Sequence, residues 1–150
     1  MDYTERISEI MCPLVSEHAD SFGAGTHQSA WVDVSPYHRV WLFIDIGDIA
    51  QGAELDWIDL HMATSVAGAG EDDVNVIDNG DVTTTNNYTT GNCLLCIEMR
   101  TEELERQGQY HWCSVIVTIS GGAIELSYTL FGVSPRYPPV SQADWTEVVD

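Results

Sequence analysis

Two alternating apolar runs joined by Gly121-Gly122 constrain this chain more than any other feature. In residues 110–120, His111, Cys113, Val115, Val117 and Ile119 share one strand face; in residues 123–133, Ile124, Leu126, Tyr128 and Leu130 do the same. Gly-Gly between such runs predicts a tight hairpin, because its central residues need positive φ. Each strand has an apolar face that must be covered, so a second sheet is required. Just upstream, residues 94–100 read as a strand and residues 101–107 as one or two helical turns. There Thr101 is placed to cap, Glu102 and Glu103 suit the positive end of the helix, and Gly108 stops it.

The first half supplies the second sheet. The strongest strand spans residues 38–46, with Val40, Leu42, Ile44 and Ile46 on one face and Trp41 and Phe43 on the other. A strand over residues 54–64 places Ile58, Leu60 and Met62 together. Leu55 and Trp57 fall out of phase with them, which predicts a bulge near Asp56. Residues 29–34 read as a strand, and residues 74–77 as a short one before the Asp78-Asn79-Gly80-Asp81 turn. Pro13 interrupts a weak helical spacing in residues 1–28, so these read as an N-terminal arm, helical or extended. The expected fold is all-β: an antiparallel, jelly-roll-like sandwich with one short helix and that arm. Its divisions are residues 1–28 (arm), 29–137 (sandwich) and 138–150 (acidic tail).

Charge decides which partners are excluded. Asp and Glu number 24 against five arginines and no lysine, a formal −19. Such a surface repels phosphate backbones and anionic membranes, so neither nucleic acid nor membrane is an expected partner. It suits solubility, and also saline water, where salt screens self-repulsion. The first residues carry no basic-then-apolar leader and no apolar run has membrane length, so synthesis in a cytoplasm is expected.

Chemistry-bearing residues give no catalytic signature. Cys93-x-x-Cys96 suggests zinc or redox chemistry, but on a strand the two side chains point to opposite faces. Cys12, Cys93, Cys96 and Cys113 are therefore read as reduced and structural. Zinc with Cys113 or His111, and a disulfide, are the alternatives. Glu71, Asp72, Asp73, Asp78 and Asp81 form the one candidate metal cluster, for Ca2+; its spacing is not that of an EF-hand, and the plain reading is a solvated acidic loop. No cofactor is otherwise expected. Among His18, His27, His38, His61 and His111, only His38 and His61 are placed to face each other across strands. No nucleophile elbow, phosphate loop or dinucleotide fingerprint occurs, so no enzyme is expected.

Two stretches carry a resemblance. One is Trp31-Val32-Asp33-Val34-Ser35-Pro36-Tyr37-His38-Arg39-Val40 with the following apolar strand, Gly47, Gly52-Ala53 and Ala63-Thr64. The other runs from Arg100-Thr101-Glu102-Glu103-Leu104 through Gly121-Gly122 and Phe131-Gly132 to Arg136-Tyr137-Pro138-Pro139-Val140-Ser141. Together they cover well over half the chain, and in this order they resemble small virion structural proteins of tailed bacteriophages, several of which decorate or cement the capsid. The acid-rich, lysine-free residues 71–92 depart from that pattern. The resemblance implies a protein on the outer capsid surface of the virion, with the major capsid protein and its own homodimer or homotrimer as partners. Trp41, Phe43, Tyr110, Trp112 and Trp145 are the candidate contacts, since aromatic residues dominate interface energetics. The alternatives are a neck, tail-completion or head-fibre-base protein, and a calcium- or carbohydrate-binding sandwich.

Overall fold

The computed structural model describes residues 7–73, 75–76, 80–81, 88–108 and 110–136. In chain order they form α1 (Ile7–Ile10), β1 (Met11–Phe22), β2 (Gly25–Gln28), β3 (Val32–Asp33), β4 (Tyr37–Ile49), β5 (Glu54–Ala63), β6 (Asp72–Asp73), β7 (Asn75–Val76), β8 (Gly80–Asp81), β9 (Cys93–Arg100), α2 (Thr101–Gly108), β10 (Trp112–Ser120) and β11 (Ile124–Pro135). The fold is all-β, with two antiparallel sheets. One has the order β1-β11-β4-β9; the other has the order β2-β10-β5-β6, with β3 continuing beside β10. β7 and β8 pair with each other. No helix among the described residues is long and apolar enough to cross a membrane.

The period-2 pattern builds the core. Val40, Leu42, Ile44 and Ile46 of β4 meet Leu126, Tyr128 and Leu130 of β11 on the inner face of the first sheet, and all are buried. Facing them are Leu55, Ile58, Leu60 and Met62 of β5 with Cys113, Val115, Val117 and Ile119 of β10. The ladder between β5 and β10 slips between Thr118 and Ile119, which leaves Asp56 as the extra residue. That bulge, where the sequence places it, lets Leu55 and Ile58 both point inward while Trp57 stays 46% exposed.

Three features differ from the sequence reading. Gly121-Gly122 is not a hairpin turn: β10 and β11 belong to different sheets, so the glycines arch across the edge of the sandwich. Gly121 has φ +73°, and a Cβ there would lie 2.0 Å from the Gly52 carbonyl oxygen, so both turn and packing require glycine. Residues 11–28, read as an arm, supply β1 and β2. β1 pairs with β11 from Met11↔Val133 to Phe22↔Ile124, with register shifts at Pro13/Val15 and Glu17/Asp20. In place of the strand over residues 29–34 there is only the two-residue β3.

The expected helix forms as α2, joined by the single turn of α1. Thr101, however, turns its hydroxyl away from capping. It donates to the Tyr37 carbonyl and accepts from the Arg136 guanidinium at 3.3 Å. This ties α2 to the start of β4 and the end of β11.

Candidate functional site

The outer face of the first sheet gathers the most distinctive side chains. Because Val40, Leu42 and Ile44 point inward, Trp41 and Phe43 point outward. Trp41 lies opposite Phe131 on β11 and opposite Glu98 on β9; Phe43 lies opposite Thr129 and Cys96. The rings of Trp41 and Phe43 meet edge to face with centroids 6.1 Å apart, and Phe43 meets Phe131 likewise at 5.9 Å. The three form a half-buried aromatic strip. Phe131 was not among the sequence candidates. Its opposite-face position beside inward Leu130 is the signal that would have found it.

Charge of both signs borders the strip. Arg39 and Arg100 are cross-strand partners, and Arg39 makes an ion pair with Glu98. The Arg39 guanidinium holds the Glu98 carboxyl below the usual carboxylate range. The enclosed Trp41 indole N–H adds to this from a position short of full hydrogen-bond geometry. Arg39, Glu98, Arg100 and Glu103 line an open cleft of about 330 Å³. Arg136, bonded to the Tyr37 carbonyl, is close behind. Three of the five cations in a −19 chain thus converge where β4 begins and β9 and β11 end. Arg100 has no hydrogen-bond or ion-pair partner among the described residues.

The remaining interface candidates lie elsewhere. Trp112 is half-buried on the outer face of the second sheet, Tyr110 packs against the core, and Trp145 lies outside the described residues. Trp57, on the second sheet, and Leu94, 71% exposed on β9, are apolar surface residues that the sequence reading did not select.

The acidic candidates fall on several elements. Glu71 accepts from Gln28 at 3.1 Å and sits 3.0 Å from His61 Nδ1, while Asp59 lies 3.4 Å from His61 Nε2. Asp72 and Asp73 lie on β6 and Asp81 on β8; Asp78 is outside the described residues. No group of three His, Cys, Asp or Glu side chains able to hold a metal occurs among the described residues. Glu71 instead ties the loop after β5 to His61, an interaction that sequence spacing did not reveal. His38 and His61 do not face each other, because β4 and β5 belong to different sheets.

None of the four cysteines is in a disulfide. Cys12 and Cys113 are buried, Cys93 is half-buried beside Ile46, and Cys96 is exposed beside Phe43. Burial pushes the Cys113 thiol up to about 12. Burial, with the Glu98 charge second, also raises that of Cys96. Neither is an activated thiolate.

No protein-family model and no curated protein matches the chain.

Proposed function

We propose that this chain is a non-enzymatic structural protein of a tailed-phage virion, a decoration or cement protein that binds the outer capsid surface and bridges capsomers as a homo-oligomer. The observation that carries this reading is the Trp41–Phe43–Phe131 strip on a regular sheet face, bordered by a small charge-balanced cleft. Clustered aromatic side chains with arginine at the margin are what a protein-binding face needs. The strand orders β1-β11-β4-β9 and β2-β10-β5-β6 support a jelly-roll reading, an architecture shared by capsid and lectin domains. Fold alone does not choose between these uses. The −19 charge disfavours a DNA-facing position and agrees with an outer one.

Electron cryo-microscopy of native particles carrying this chain, with copy number counted by gel densitometry, tests the proposal. A regular outer lattice with the aromatic strip against the capsid shell is the expected result. Copies confined to one vertex would move the chain to the neck or tail. Absence from any particle would overturn the virion reading.

A further inference from the structure

We propose that β9 pairs antiparallel with β9 of a second copy of this chain, about a two-fold axis at Ile97, joining two four-stranded sheets into one. The inference rests on the homo-oligomer part of the preceding reading and not on capsid binding.

The two edges of the first sheet are built differently. β1 carries Pro13, two register shifts and an exposed polar run including Glu17, His18 and Asp20. Proline, bulges and charge are the usual protections against edge-to-edge pairing. β9 has few of them. Its eight residues keep unbroken register with β4 from Ile46↔Cys93 to Arg39↔Arg100, and its other side pairs with no strand among the described residues. It contains no proline, and it exposes a large apolar side chain, Leu94. A regular strand of this length leaves a row of amide and carbonyl groups facing outward, which a second strand satisfies.

Side-chain burial points the same way. On β4 the inward Leu42, Ile44 and Ile46 are fully buried, whereas Cys93, Leu95 and Ile97 on the inner face of β9 are only half-buried. The core stops one strand short of being covered. A two-fold at Ile97 pairs seven of the eight residues, Leu94 to Arg100. It sets Ile97 beside Ile97 of the second copy and Leu95 beside Met99 of the second copy, so the inner rows cover each other. On the outer face Leu94 meets Arg100 of the second copy, whose aliphatic stem covers it.

The self-complementary register makes a second copy the occupant, and the local charge permits it. Two −19 chains repel over most of their surfaces. The cleft at the end of β9 holds two arginines and two glutamates, so the face is locally neutral and lets two copies approach.

Sedimentation of the purified chain over a range of concentrations, at low and high NaCl, tests this. The wild type is expected to dimerise, more tightly at high salt because net repulsion is screened. Cys96→Glu, which sets a carboxylate opposite Glu98 of the second copy, and Leu94→Arg, which sets a guanidinium opposite Arg100 of the second copy, are each expected to weaken dimerisation about tenfold or more, by placing like charge at the seam. Leu94 and Cys96 are both solvent-exposed, so circular dichroism and the melting curve of the monomer should not change. A wild type that stays monomeric at every concentration and salt overturns the proposal. So does an oligomer that both substitutions leave intact, which would leave the homo-oligomer reading standing through another surface. A monomer whose β9 amides become protected only on adding capsid shells would give the edge to the capsid instead.

Discussion

The outer faces of the two sheets have been finished in opposite ways. On the second sheet, polar groups are buried and held. Ser114 is fully buried and donates to the Ser29 carbonyl, Asp59 is 8% exposed beside His61, and Glu71 reaches back across His61 and Gln28. Trp31 lies against Gly68, where a Cβ would come within 2.7 Å of its indole nitrogen. The chain's own loops therefore form a roof. On the first sheet the corresponding positions carry Trp41, Phe43 and Phe131, half-buried, with Cys96 and Leu94 exposed. Burying a polar group is costly unless it is hydrogen-bonded, so a roofed face commits to internal bonds. The aromatic face encloses one such group, the Trp41 indole N–H, and its rings are otherwise free to serve an interface.

The largest test of this contrast is truncation on each face. Trp41→Ser with Phe43→Ser should weaken capsid binding by about 2 kcal/mol or more, near thirtyfold. Trp57→Ser and Trp112→Ser on the second sheet should leave it within about threefold. Co-sedimentation with shells lacking the native protein would measure both. Equal losses on the two faces would break the comparison. On the proposed reading the capsid contact is mainly apolar, so bound protein should also remain on the shells at high salt; ready stripping would assign the contact to charge.

A second test concerns the roof. His61→Ala removes the ring that separates Asp59 from Glu71 and should cost about 1–2 kcal/mol in urea unfolding, leaving a buried carboxylate beside another acid. His61→Gln, which keeps a donor, should recover part of that loss. If His61→Ala changes capsid binding as much as it changes stability, the second face contributes to the interface as well.

The inner faces were legible in the sequence because alternation reports directly which side of a strand is covered. Asp56 was legible as a bulge for the same reason: one apolar residue out of phase has to be accommodated. What alternation does not report is which strand lies next door. The β10 and β11 runs look like a hairpin, yet each pairs with other strands, since the two apolar faces are satisfied equally well from opposite sides of one core. β1 was hidden more completely. Its residues 16–21 are all exposed, so main-chain hydrogen bonds to β11 place it and no side-chain pattern announces them. The aromatic strip was two-thirds legible through Trp41 and Phe43. The His61–Asp59–Glu71 arrangement depends on a loop returning over β5, which spacing alone does not encode.

Buried ionisable groups beneath the faces make a smaller, pH-dependent prediction. Burial holds the Cys113 thiol at about 12 against an ordinary 9.0. Burial, with the Glu17 charge second, holds the Tyr128 phenol at about 12 against 10.0. Both stay protonated in the folded chain after the unfolded chain has lost its protons, so stability falls as pH rises from about 9 towards 12. Urea titrations across that range should show the decline, and Cys113→Ala should remove the part that begins near pH 9. Thiol alkylation of the native chain should reach exposed Cys96 long before Cys12 or Cys113.

The smallest expected effect lies at the edge of the aromatic face. Arg39 and Glu98 form an ion pair whose side chains are 42% and 45% exposed. Pairs so open to water contribute roughly 0–1 kcal/mol, and salt screens them further. Glu98 has a lowered pKa, so what the pair contributes is present above the unfolded carboxylate pKa and is lost as pH falls through the folded one. Arg39→Ala should therefore shift the melting curve very little at neutral pH, while flattening the acid side of the stability profile. A loss comparable to that of His61→Ala would mean that Arg39 supports Trp41 by packing, making the aromatic strip and its charged border one structural unit.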